Sequence, residues 1–162
     1  MLTKNSGKAL NRQLMEDLNS AYVYLNLSVR LEFFHVPGAA RWMRALSSEK
    51  LERAGRILDF LTCNGFDVSF GKLNKPTVNG ISDPEDVFKA ALKQENSAAG
   101  RLKELSELTV AESDFPAYDL LNSFSAGQVS AERRLRTIIE KFHAAGNSAR
   151  AKLFLDSHFP ES

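Results

Sequence analysis

Counting along the chain in alternating steps of three and four residues picks out four seams of mostly apolar side chains. The first reads Leu10, Leu14, Asp17, Ala21, Tyr24, Ser28, Leu31, and the second Ala39, Met43, Leu46, Lys50, Arg53, Ile57, Phe60. The third reads Phe88, Leu92, Glu95, Ala99, Leu102, Ser106, and the fourth Leu121, Phe124, Gln128, Ala131, Leu135, Ile138, Phe142. Residues at this spacing share one face of an α-helix, so each seam predicts the inward face of an amphipathic helix. Four such faces bury one another most simply in a bundle.

The breaks between seams set the expected ends. The first helix starts between Asn5 and Lys8 and runs to about Phe34. Pro37-Gly38 marks a short connection, and the second helix runs from about Gly38 to Asn64, with Gly65 as a left-handed stop. Helical periodicity is lost from Gly65 to Ser82, a stretch long enough to carry the chain back along the bundle. Val68-Ser69-Phe70 and Lys75-Pro76-Thr77-Val78 are its candidate extended pieces. Ser82-Asp83-Pro84-Glu85-Asp86 combines capping side chains, a first-turn proline and acids near the positive end of the helix dipole. The third helix then runs to about Glu112; Gly100 inside it weakens the helix, and close helix approach is one reason to tolerate it. Ser113 to Pro116 form the next turn, the fourth helix runs to about Ala144, and a short fifth spans about Ala149 to Ser157. Leu153, Phe154, Leu155 and Phe159 make this tail too apolar to stay solvated. It docks either on its own bundle or on neighbouring subunits.

The interruptions of the seams carry the candidate chemistry. Lys50 and Arg53 stand one turn apart on an inward face, where unpaired cations are costly. Asp17 and Glu95 interrupt two other seams, and the four charges sum to zero. A neutral polar layer across the middle of the bundle satisfies all of them, with Tyr24 one turn away and able to hydrogen-bond into it. Beside its inner seam the first helix carries a second apolar row, Leu18, Tyr22, Leu25 and Val29. That row has two destinations, a subunit interface or a wider core. Trp42 is likewise open between packing on another subunit and covering the edge of the bundle.

Composition narrows the class. The 162 residues suit one domain, 1–162, with a sizeable core. The net charge of +1 and the lack of a basic block argue against nucleic acid as a partner. There is no apolar run of membrane-spanning length. The polar start, Met1 to Gly7, lacks the apolar core of a signal peptide, and the single cysteine forms no disulfide within the chain. The expected setting is cytoplasmic. Cys63 is read as a buried small apolar residue near a helix end.

With its four long helices, long second-to-third crossover and short tail helix, the chain resembles the ferritins over nearly its whole length. Local matches to the bacterial non-haem type are Leu18-Asn19-Ser20-Ala21-Tyr22-Val23-Tyr24, Arg56-Ile57-Leu58-Asp59-Phe60-Leu61, Asp114-Phe115-Pro116-Ala117-Tyr118 and Ile138-Ile139-Glu140-Lys141. The resemblance implies an all-α ferritin-like four-helix bundle with a short C-terminal fifth helix, assembled with its own copies into a hollow twenty-four-subunit shell. It implies iron as stored mineral, and no haem is expected.

The same resemblance locates a departure. Ferritin oxidation centres use carboxylates on several helices and a Glu-x-x-His pair on the second. The matching positions here hold Asp17, Lys50, Arg53, Glu95, Gln128 and Ala131, with Gly127 and Ser130 where nearby acids are expected. Two metal ions do not share a pocket with two fixed cations, so ferroxidase activity is expected to be weak or absent. The light-type animal subunits are similar in this respect. Glu49 and Glu52 flank the seam on the edge that borders the cavity in ferritins, and are candidate sites for holding Fe(III) and seeding mineral. The expected function is iron storage by a subunit that nucleates mineral or co-assembles with a ferroxidase-competent ferritin. The alternative is a shell-forming structural or interaction protein without an iron function. A di-iron oxidase with a different ligand set is a third reading. Glu32-Phe33-Phe34-His35 and Glu140-Lys141-Phe142-His143 have metal-binding spacing but lie at helix ends, away from the layer; His143 is expected to serve its helix dipole. Asp114 and Asp119 are the acids available for an iron-entry channel at the start of the fourth helix.

Overall fold

The computed structural model describes residues 1–77 and 79–160. Helices α1 (Lys4–Phe33), α2 (Pro37–Cys63), α3 (Pro84–Ala111), α4 (Phe115–Ala145) and α5 (Ala149–Ser157) follow in order, with no strand among the described residues. Each begins and ends within about a turn of its expected position. Val78, placed by expectation in an extended piece, lies outside the described residues.

The helix starts are built from short polar side chains. Thr3 Oγ1 accepts from the N–H of Ser6 at 3.1 Å, Asp83 from Asp86 at 3.0 Å, Asp114 from Ala117 at 3.3 Å and Ser148 from Ala151 at 3.2 Å. Each meets a donor that the first turn leaves unpaired. Asp86 is held below the usual carboxylate range, first by the backbone N–H of Ser82 and then by its hydroxyl. Asp114 also accepts from the backbone of Thr3 at 2.9 Å and is buried, so it ties the N-terminus to α4.

Helix α2 has no cap of its own, because Val36 offers no acceptor. Asp156 of α5 takes that role: its two carboxylate oxygens accept from Gly38 at 3.0 Å and Ala39 at 2.7 Å. The approach is so close that a Cβ on Gly38 would lie 2.3 Å from the Asp156 carbonyl oxygen. The tail therefore docks on its own bundle. Phe159 packs within a cluster of Trp42, Phe88 and Phe142, with ring centroids 5.9 Å from Phe88 and 6.4 Å from Trp42. Trp42 is accordingly buried within the chain. Leu153 and Phe154 remain exposed on the far side of α5.

The crossover from α2 to α3 runs along α1. Asn11 makes a two-way pair with the backbone of Ser69, both bonds at 2.8 Å, and Asn19 accepts from Asn74 at 3.0 Å. Gly71 donates to Met15 Sδ at 3.4 Å between them. Asn11, Met15 and Asn19 are four apart, so one stripe of α1 holds the crossover. It returns the chain to the end of the bundle where α2 began, which leaves α1 antiparallel to both α2 and α3.

Two apolar clusters fill the bundle. One holds Tyr24, Leu27 and Leu31 with Ala39 to Leu46, Val87 to Ala91, and Ala131 to Phe142. The other holds Leu10 and Leu14 with Ala54 to Leu61, Leu102, Leu105, and Ala117 to Phe124. The first and fourth seams match the buried faces closely. On α3 the buried set is Pro84, Val87, Phe88, Ala91, Glu95, Ala98, Leu102, Leu105 and Thr109, whereas Leu92, Ala99 and Ser106 are only half-buried. The helix is rolled toward Ala91 and Ala98. Phe60 is half-buried, and Leu61 takes the core position beside it. Gly100 is exposed with nothing within 4 Å of an added Cβ, so no close approach accounts for it. Cys63, the last residue of α2, is exposed rather than buried.

These two glycines predict opposite outcomes in urea or thermal melts. Gly38→Ala drives a methyl into the Asp156 backbone and costs about 1–3 kcal/mol. Gly100→Ala meets no obstacle and gains up to about 1 kcal/mol of helix propensity. Equal effects at both sites would mean that Asp156 does not seat on α2.

Candidate functional site: a polar layer between two apolar cores

The two apolar clusters are separated by one layer, and every long helix contributes to it at the same height. Asp17 comes from α1, Lys50 and Arg53 from α2, Glu95 from α3 and Gln128 from α4; none is more than 9% exposed. The four charged residues were expected there from the seams, and Gln128 is a residue of the fourth seam. The pairing between them is resolved only by the fold.

Arg53 grips Asp17 through Nε at 2.7 Å and through Nη2 in a two-pronged ion pair. Lys50 Nζ lies 2.9 Å from Glu95 Oε1 and 3.0 Å from Oε2. Gln128 joins the two halves. Its amide nitrogen donates to Glu95 Oε2 at 2.6 Å and to the Glu95 carbonyl at 2.9 Å, while its oxygen faces Lys50 at 3.5 Å and Arg53 at 3.3 Å. Tyr24 donates to Glu95 Oε1 at 2.5 Å, as its place one turn away suggested. Ala131 borders the layer from α4 and contributes no polar atom.

Gln13 completes the layer and was absent from the seam count. It donates to Asp17 Oδ1 at 2.8 Å and is buried. Its signal was present in the sequence, since it stands four residues before Asp17, where helix neighbours meet.

The electrostatics follow the packing. Burial, then the charge of Glu95 and the hydrogen bond to it, push the Tyr24 hydroxyl well above its ordinary value. Burial, then the neighbouring Arg53 charge, lower the proton affinity of Lys50 against the pull of Glu95. Burial works against Arg53 too, but the hydrogen bonds and charge of Asp17 outweigh it, and its proton is held more tightly.

The other candidate residues lie outside this layer. Glu49 and Glu52 are exposed on α2, and Glu49 Oε2 is 3.6 Å from Arg134 Nη2. The spacing of Glu32 and His35 reflects a helix end: His35 takes a positive φ of 59° as α1 stops, and Glu32 pairs with Arg44 at 2.7 Å. His143 lies in the last turn of α4 and meets Glu85 at 3.2 Å. Asp114 serves as the buried cap described above. Among the described residues, no group of three or more His, Cys, Asp and Glu side chains is placed to hold a metal ion.

Five helices, a full-length crossover and a polar layer in mid-bundle define a ferritin-like chain, and the comparisons agree. The ferritin-like domain family matches residues 7–145, so the chain belongs to the ferritin family of iron-storage subunits. The bacterial non-heme ferritin of Escherichia coli is 25% identical over 163 aligned positions, covering 96% of this chain and 94% of that one. The Bacteroides fragilis bacterial non-heme ferritin is 27% identical, covering 97% of each. Among solved structures, an open pore ferritin from the archaeon Archaeoglobus fulgidus superposes with a TM-score of 0.93 at 31% identity, covering 98% of both chains.

Removing one member of the layer strands its partner. Glu95→Leu is expected to cost about 3–5 kcal/mol in chemical denaturation, and Glu95→Leu with Lys50→Met to recover most of it. Additive losses in the double variant would show that the two side chains are not coupled.

The second expectation concerns alkaline pH. Tyr24 keeps its proton in the fold, whereas the unfolded chain releases it from about pH 10. The folded state then binds more protons, so this group's contribution to stability is complete below that pH and declines above it. Wild-type stability should fall relative to Tyr24→Phe by about 1.4 kcal/mol per pH unit there. A difference that stays flat with rising pH would mean that the phenol ionises within the bundle.

Proposed function

We propose that this chain is an iron-storage ferritin subunit without a standard di-iron oxidation centre. It supports mineral nucleation, or it works beside a ferroxidase-competent subunit in a shared shell. The observation that carries the reading is the pairing of Lys50 with Glu95 and of Arg53 with Asp17 at the centre of the bundle. Iron binds carboxylate and imidazole ligands. Both carboxylates of the layer are committed to fixed cations, Ala131 offers no donor atom, and Gln128 has its nitrogen on Glu95. Two further positive charges in such a pocket face repulsion from Lys50 and Arg53 with no ligand set to offset it. The residues present do not fit a di-iron centre, and the salt bridges take over its role as the internal cross-tie.

Glu49 and Glu52 remain the candidate positions for holding Fe(III) as mineral begins. The second apolar row supports an assembly with copies of this chain. Leu18 is half-buried against the core, but Tyr22, Leu25 and Val29 are exposed, with Phe33 continuing the row on α1 and with Phe70 and Leu73 exposed on the crossover, so most of the row is not core within the chain. A contiguous apolar face of this kind is expected to be covered, and the twenty-four-subunit shell is the assembly that we infer. The unit is the whole chain, 1–162, because Asp156 and Phe159 are built into the bundle. A cytoplasmic setting goes with this reading; no described helix is long and apolar enough to cross a membrane. A shell without an iron function is the second reading. It is favoured by the Arg134 guanidinium beside Glu49 and by the use of Asp114 as a cap rather than a channel acid.

The test is aerobic Fe(II) oxidation by the purified assembly, beside a buffer blank and a Lys50→Glu/Arg53→His/Ala131→Glu variant. Wild type is expected to track the blank and the variant to run well above it. Added ferroxidase-competent ferritin should restore mineral growth by the wild type. Fast wild-type oxidation that saturates at a fixed iron load would overturn the reading. Particles that stay empty of iron after growth in iron-rich medium would move the conclusion to the second reading.

A further inference from the structure

A cavity of about 360 Å³ opens between α2 and α4, with the polar layer as its floor. We propose that this cavity is a binding site for a tetrahedral oxyanion such as inorganic phosphate, held by Lys50, Arg53 and Arg56.

The argument starts from a donor count. Lys50 carries three N–H donors and Arg53 five. On the inner side the carboxylates of Glu95 and Asp17 accept from both. Within the layer Gln128 Oε1 also serves both cations at long range, 3.5 Å and 3.3 Å, while the carboxylates of Glu49 and Glu52 line the cavity without bonding either. The Gln128 nitrogen is already committed to Glu95. Lys50 thus has three acceptors for its three donors, whereas Arg53 makes three bonds from five donors, which leaves two of its N–H groups without an acceptor in the layer.

The wall adds a guanidinium that is held in place but not neutralised. Arg56 donates to Ser123 Oγ at 2.8 Å and lies 4.7 Å over the Phe124 ring, and among the described residues no carboxylate pairs with it. Most of its planar fork is free, and such forks match oxyanions well. Arg134 stands on the same cavity and is only loosely engaged by Glu49 at 3.6 Å.

Glu49 and Glu52 at the rim bring the local charge back to balance, so net attraction does not select the ligand. Its hydrogen-bonding character does. A metal cation finds two rim carboxylates and no third ligand, and meets cations at the floor. Water accepts but must also donate. An acceptor-rich oxyanion suits a floor made of donors, and it also relieves the repulsion between Lys50 and Arg53. Binding should therefore stabilise the fold in a saturable way.

The experiment uses the iron-free protein, so its outcome is separate from the iron reading. The melting temperature is followed against inorganic phosphate, and against sulfate, at constant ionic strength set by chloride. Wild type and the remote control Lys103→Gln are expected to gain stability along a saturating curve. Arg56→Gln should need about tenfold or more phosphate for the same gain. Phosphorus NMR line broadening by the wild type, lost in Arg56→Gln, reads the binding directly. An equal response to sulfate supports a site for tetrahedral oxyanions in general. No phosphate increment over chloride, or the same increment in Arg56→Gln and Arg134→Gln as in wild type, would overturn the proposal.

Discussion

The rest of the structure depends on one buried layer in which two cations and two carboxylates must meet. A charge left alone in this interior costs several kcal/mol, far more than an imperfect apolar contact. The layer thus sets the register of all four long helices. Sliding α2 by one turn against α1 would part Arg53 from Asp17, and a shift of α3 would part Glu95 from Lys50, Tyr24 and Gln128 at once. The apolar clusters on either side tolerate small adjustments; the layer does not. Its position at the boundary between them lets each cluster pack as an ordinary core.

The ends of the bundle are held by different means. At one end Asp114 closes the start of α4 and takes the backbone of Thr3, so the N-terminus and the α3–α4 turn are tied through one carboxylate. At the other, Asp156 caps α2 while Phe159 fills the space among Trp42, Phe88 and Phe142. Helix α5 is too short to be stable alone. Its order comes from this double attachment, and the arrangement leaves Leu153 and Phe154 facing outward beside the end of α4.

This construction bears on function. A bundle whose centre is tied by metal ions couples its internal cross-link to its chemistry, because the ligands that hold the metal also present it to substrate. A bundle tied by Arg53–Asp17 and Lys50–Glu95 separates the two. Under the proposed function the centre is structural, and the chemistry left to the subunit would lie on its faces: the carboxylates of Glu49 and Glu52, the cavity between α2 and α4, and the exposed apolar row of α1.

The sequence by itself determined the five helices, the crossover and the charged members of the polar layer, but not Gln13, which joins it through Asp17. Apolar periodicity and capping residues are local signals, and charges on inward seams have few ways to be satisfied. It determined that Asp17, Lys50, Arg53 and Glu95 must balance, but the partner of each was decided only by the tertiary structure, because charge sums are blind to which helices are adjacent. The roll of α3 toward Ala91 and Ala98 was decided there too, since two phases of the same seam differ by a fraction of a turn and only the neighbours choose between them. The same holds for Asp156, whose acceptors meet donors more than a hundred residues earlier in the chain. His35 and Cys63 took their places for a related reason: where a helix stops determines whether a side chain at its end faces a partner or solvent.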